Sequence, residues 1–184
     1  IVGGVAGGMS AAARLRRLDE QAEIVLLERD PYVSFAKCGL PYHVGGVIED
    51  RDALLLQTPD SLSARFAIDV RVNTEASSID TEARTVLITD AITGASSTLE
   101  YDELVVATGS DAAVPTIDGL ADVEYWTNRE AIWASAIPES LVVLGGGAVG
   151  VEHAQFFRRL SAQVPLVEHH AHLPRDGHEQ VPVH

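Results

Sequence analysis

The sequence predicts an α/β protein with parallel sheets in three layers and a small antiparallel β-meander. Two observations predict it. The order strand, glycine turn, helix, strand occurs twice, and short alternating runs stand between the two copies. A third sets the scale: 184 residues, 46% of them hydrophobic, suit one sizeable domain or two small ones. The expected boundary falls in the segment from Ala112 to Leu120, which carries Pro115 and Gly119 and divides the chain into 1–115 and 116–184.

The first copy starts on Ile1-Val2, read as the end of a buried strand, and runs into Gly3-Gly4-Val5-Ala6-Gly7-Gly8. Met9 to Leu18 consists of good helix formers, with Ala11, Leu15 and Leu18 as its apolar face. Glu23 to Glu28 then reads as a buried parallel strand ending in an acid. The second copy repeats this order: the strand Leu141 to Leu144, the turn Gly145 to Gly150, the helix Val151 to Leu160 and the strand Gln163 to Glu168. Between the copies, Asp69–Val72, Arg84–Thr89 and Ser97–Tyr101 are expected as short antiparallel strands, separated by turns at Asp80–Ala83 and Asp90–Gly94. Glu103 to Ala107 reads as one more buried strand, ending at Thr108-Gly109.

A helix that starts directly after a strand presents unpaired N–H groups and a positive end, which together hold a pyrophosphate. Glycines let the backbone approach it without a Cβ in the way, and an acid closing the next strand accepts hydrogen bonds from a ribose diol. Gly145, Gly147 and Gly150 match G-x-G-x-x-G in full, with Glu168 closing the next strand. Gly3 and Gly8 match the outer positions, with Val5 at the centre, Gly7 inside the turn, and Glu28 followed by Arg29 after the next strand. Glycines that merely allow tight strand–helix packing would explain the turns but not the acids. Two nucleotides in one chain point to a flavin and a nicotinamide.

The remaining chemistry rests on a single sulfur. Cys38 lies in Ser34-Phe35-Ala36-Lys37-Cys38-Gly39-Leu40-Pro41-Tyr42-His43, next to the only lysine, Lys37. A neighbouring cation and a helix starting near Cys38 would both favour thiolate over thiol; the plain alternative is a small buried apolar residue. One cysteine forms no internal disulfide, which fits a reducing compartment. Asp and Glu total 27 against 13 Lys and Arg, a net charge of −14, which argues against nucleic acid as partner. No apolar run reaches the ~18 residues of a membrane helix and no basic leader precedes the first strand, so a soluble, cytoplasmic protein is expected.

Ser-Phe-Ala-Lys-Cys-Gly-Leu-Pro-Tyr-His-Val-Gly-Gly, with the upstream glycine turn and the downstream run from Thr98 to Ser110, resembles the FAD-dependent pyridine nucleotide–disulfide oxidoreductases of the single-cysteine branch. Within that branch it is most similar to the coenzyme A-disulfide reductases, over essentially the whole chain. The resemblance implies a Rossmann-like FAD/NAD(P)-binding fold. FAD would lie on Gly3, Gly7 and Gly8, with Glu28 and Arg29 at its ribose and Thr108-Gly109-Ser110 beside it. NAD(P)H would lie on Gly145, Gly147 and Gly150. Electrons would pass through the flavin to Cys38, which would cycle through a mixed disulfide with coenzyme A; Ser34 and Lys37 would stand by the substrate.

Ser10, Arg14 and Arg17 share one helix face, where two arginines beside a hydroxyl suit the phosphates of coenzyme A. The same spacing also suits a solvated polar face. Departures from the family pattern are Lys37 where Asn is usual, His153 at an apolar helix position, and Pro165 inside a strand. The chain reads as a fragment: it starts on Ile1, and the nicotinamide domain from Leu141 is too short to cover both faces of its sheet. The parent is expected to be a homodimer.

Glu168 favours NADH, because a carboxylate repels a 2′-phosphate, and His169 beside it partly offsets this. His169, His170, His172, His178 and His184 invite a metal reading, but a Pro- and Gly-containing segment offers no fixed geometry, and no metal is expected. The expected function is NAD(P)H-dependent reduction of a small disulfide through Cys38. The alternatives are NADH oxidase or peroxidase chemistry through a Cys38 sulfenic acid, or an inactive nucleotide-binding module.

Overall fold

The computed structural model describes residues 1–169. Its described residues divide into two compact units: 1–37 with 51–111, and 38–50 with 112–169. The expected boundary near 115 had placed the cysteine segment in the first unit. The structure groups residues 38–50 with the second, because they pack on its helices.

In the first unit, residues 1–3 run parallel between β1 (Ile24–Leu27) and residues 105–107. Leu27 N–H donates to Ile1 O and Ala107 N–H to Val2 O, at 2.9 and 2.7 Å. On the other side of β1, β2 (Ile68–Arg71) pairs with it in parallel, Ile24 opposite Ile68. Sequence had read residues 69–72 as part of the antiparallel meander; a four-residue alternation carries no information about the direction of its partner. The run Glu103–Ala107 makes a single bridge rather than a buried strand, and Val106 is 59% exposed.

Side chains alternate across this sheet. Ile24 and Leu26 pack with Ala12, Val33, Leu62 and Ile68 under α1 (Ala6–Leu18) and α3 (Pro59–Phe66). Val25 and Leu27 face Val86 and Ile88 of the meander on the opposite side. The meander is β3 (Thr74–Asp80), β4 (Thr85–Asp90) and β5 (Ser96–Glu100), antiparallel in that order. Both of its turns are closed by an aspartate: Asp80 Oδ1 accepts from Glu82 and Ala83 N–H, and Asp90 Oδ1 from Ile92 and Thr93 N–H. Helices, parallel sheet and meander form the three expected layers.

Helix α1 starts at Ala6, inside the glycine turn, three residues earlier than expected. Its buried face is Gly8 and Ala12; Leu15 and Leu18 are 36% and 68% exposed, contrary to the expected apolar face. Arg16 fixes the helix to its surroundings, donating from Nε to Phe66 O and from its terminal nitrogens to Ala67 O and Glu20 O.

In the second unit, β6 (Val143–Leu144) and β7 (Leu166–Val167) pair in parallel, and α5 (Ala148–Arg159) connects them. Phe156, Phe157, Ala131 and Ala162 form its core, with α4 (Asn128–Trp133) and Val44 of α2 (Leu40–Val44) packed against it. Among the described residues, no helix is long and apolar enough to cross a membrane.

Candidate nucleotide sites and the cysteine segment

Each unit builds one strand–turn–helix cradle, and the two share their wiring. In the first, Gly3 turns the chain with φ of +104°, and Gly8 passes so close to the Gly3 carbonyl that any Cβ there would overlap it. In the second, Gly145 has φ of +102° and Gly150 lies equally close to the Gly145 carbonyl. Gly147 faces open space, and neither α1 nor α5 has a side-chain cap or an acid in its first turn. Two helix N-termini thus offer unclaimed N–H groups to an anion, the donor set that a dinucleotide pyrophosphate requires.

The strand-end acids close both cradles. Glu28 is buried; its Oε2 accepts from Gly4 N–H at 2.7 Å and its Oε1 from Asp30 N–H at 3.1 Å. Glu168 accepts from Gly146 N–H at 2.5 Å, the equivalent residue of the second turn. Gly4 and Gly146, each beside a motif glycine, are the donors to these acids, a role that the glycine spacing does not signal. His169 Nδ1 lies 3.6 Å from Glu168 Oε1.

The first unit gathers Gly3, Gly7, Gly8, Glu28 and Ser34 about the start of α1. Ser34, in a left-handed conformation, donates its N–H to Gly4 O. The loop Thr108-Gly109-Ser110 is exposed and follows Ala107, whose carbonyl a Cβ on Gly3 would meet. Ser10, Arg14 and Arg17 lie exposed on α1, and Arg29 and Lys37 are exposed too. In the second unit, an open groove of about 850 Å³ runs past Gly145, Gly147 and Gly150 and is walled by Trp126, Thr127 and Asn128.

Cys38 is exposed and sits in a 3-10 turn, Lys37–Gly39. The helix expected at Cys38 starts two residues later, as the five-residue α2. His153 is buried against Phe156, its Nδ1–H donating to Val149 O at 2.7 Å. Among the described residues no group of three His, Cys, Asp or Glu is placed to hold a metal; His170, His172, His178 and His184 lie outside them.

The family model of the pyridine nucleotide-disulphide oxidoreductases matches residues 1–181. The chain belongs to this family. Over 160 residues it is 38% identical to a coenzyme A disulfide reductase of Staphylococcus aureus, covering 83% of this chain and 36% of that protein. The solved structure of reduced Bacillus anthracis CoADR-RHD superposes with a TM-score of 0.76 at 41% identity, over 91% of this chain and 32% of the other. An NAD-dependent persulfide reductase from A. fulgidus superposes with a TM-score of 0.72 at 34% identity, over 90% and 32%. The chain therefore spans about a third of the length of these relatives. The fold is that of the family's Rossmann-type nucleotide domains, and the family's cofactors are FAD and NAD(P)H.

Proposed function

We propose that this chain supplies the nucleotide cradles and the reacting sulfur of an NAD(P)H-dependent disulfide reductase, with coenzyme A disulfide as its substrate. The observation that carries this reading is the doubled cradle, built with the same acid-to-glycine bond twice, in a chain with one exposed cysteine. Gly3, Gly7, Gly8, Glu28, Arg29 and Thr108-Gly109-Ser110 hold FAD. Gly145, Gly147, Gly150 and Glu168 hold the nicotinamide nucleotide, NADH in preference. Ser10, Arg14, Arg17, Ser34 and Lys37 receive the substrate.

Cys38 Sγ attacks one sulfur of the disulfide; a new S–S bond forms, the old one breaks, and one thiolate leaves. FAD, when bound, supplies the electron pair that NAD(P)H contributes as hydride. Overall, one NAD(P)H, one proton and one disulfide would give NAD(P)+ and two thiols. The net charge of −14 suits a cytoplasmic enzyme without nucleic-acid partners, and a homodimer is proposed for the whole protein.

The test compares NADH consumption with coenzyme A disulfide, oxygen and peroxide as acceptors. Preference for the disulfide supports the proposal; preference for oxygen or peroxide transfers Cys38 to oxidase chemistry. A colourless protein that does not bind flavin sinks both.

A further inference from the structure

We propose that Gly45 and Tyr42 are positioning residues that seat the cysteine segment on α5, the helix of the second cradle. The inference rests on the reading of Cys38 as the reacting sulfur.

The segment from Pro41 to Ile48 is closed on itself. Gly45 N–H donates to Pro41 O, Val47 and Ile48 N–H both donate to Tyr42 O, and His43 Nδ1–H donates to Ile48 O at 2.7 Å. Cys38 lies in the 3-10 turn Lys37–Gly39, which runs directly into α2, so the seating of α2 sets where Cys38 stands. Helix α2 packs on α4 and α5 of the same unit. Val44 packs against the cluster of Phe156 and Phe157. Gly45 lies against Phe156 so closely that a Cβ would stand 3.2 Å from Phe156 Cβ and 3.0 Å from Pro41 O. Tyr42 OH donates to Glu152 Oε1 at 3.4 Å, across a cavity of about 100 Å³ bordered by Pro41, Gln155 and Arg159.

Phe156 is 3% exposed and its Cα stands 3.7 Å from the Cβ position of Gly45, so an added methyl at Gly45 presses on the backbone of α5 and pushes α2 from it. The neighbouring Gly46 has nothing within 4 Å of its own Cβ position, so the steric demand belongs to Gly45 alone. The same helix α5 begins at the cradle, so one rigid element serves the nucleotide at one end and the sulfur along its side.

The test is alkylation of Cys38 by iodoacetamide, followed by intact mass. Gly45→Ala is expected to raise the rate about fivefold or more. In turnover with NADH, kcat falls while KM for NADH stays unchanged. Tyr42→Phe and Glu152→Gln are each expected to change the alkylation rate about twofold, and the double variant no further than either alone. A Gly45→Ala protein that keeps its melting temperature and the wild-type alkylation rate overturns the proposal. Should that variant fail to fold, additive effects in the Tyr42–Glu152 cycle overturn it. Alkylation needs neither flavin nor nucleotide, so an absent disulfide reductase activity defeats the functional reading and leaves this result to stand or fall by itself.

Discussion

A buried carboxylate whose two oxygens each accept a backbone N–H holds a loop as firmly as a strand pairing does. Glu28 is such a group, and Glu28→Ala is expected to strand the buried Gly4 donor, at a cost of about 1–3 kcal/mol, while the N–H of exposed Asp30 turns to water. Chemical denaturation reads that loss, and flavin absorbance after gel filtration falls with it. Gly150→Ala places a methyl on the Gly145 carbonyl and is expected to abolish NADH binding, measured by quenching of tryptophan fluorescence, while leaving flavin retention by the first unit unchanged. Under the proposed function, Cys38→Ser is expected to keep the flavin absorbance and to lose NADH consumption with the disulfide. The outer glycines and both acids were legible because their spacing is fixed by the geometry of a strand–turn–helix. The role of Gly4 and Gly146 was not, since a hydrogen bond from a backbone N–H leaves no mark on residue type. Nor was Arg16 distinguishable from Arg14 and Arg17: three arginines on one helix look alike until the carbonyls of Phe66, Ala67 and Glu20 are in place.

Helix α4 shows how much of an element rests on its first turn. Thr127 Oγ1 accepts from Arg129 N–H, and Glu130 Oε2 accepts from both the hydroxyl and the N–H of Thr127. Thr127→Ala is expected to lower the opening free energy of α4 by about 1 kcal/mol in amide exchange. The bonds from Thr127, its hydroxyl foremost and then its N–H, hold the Glu130 carboxyl below the usual glutamate range. A lowered carboxylate pKa favours the folded form above the unfolded value and loses that contribution as pH falls through the folded one. Protection of α4 amides is therefore expected to be constant at neutral pH and to decline only below about pH 4.5. The signature Thr-x-x-Glu was present in the sequence and would have located this helix. Strand β2 had no such signature, and its partner became known only when β1 lay beside it.

At the scale of the whole chain, the two units predict two separable responses. FAD is expected to slow amide exchange at residues 3–9 and NADH at residues 145–151, each without protecting the other turn. A ligand at a hundred times its Kd adds about 2.7 kcal/mol to the unit that binds it. Protection of both turns by either ligand alone would reject the assignment. The division of the chain was only partly legible. Proline and glycine near 115 mark a linker, whereas the transfer of residues 38–50 to the second unit depends on Phe156, more than a hundred positions away. The brace between Glu168 and Gly146 bears on anyone who would retool this scaffold for the phosphorylated coenzyme. Excising the acid outright would slacken the turn meant to receive the new cargo, whereas Glu168→Gln would remove the negative charge and keep an oxygen for the loop.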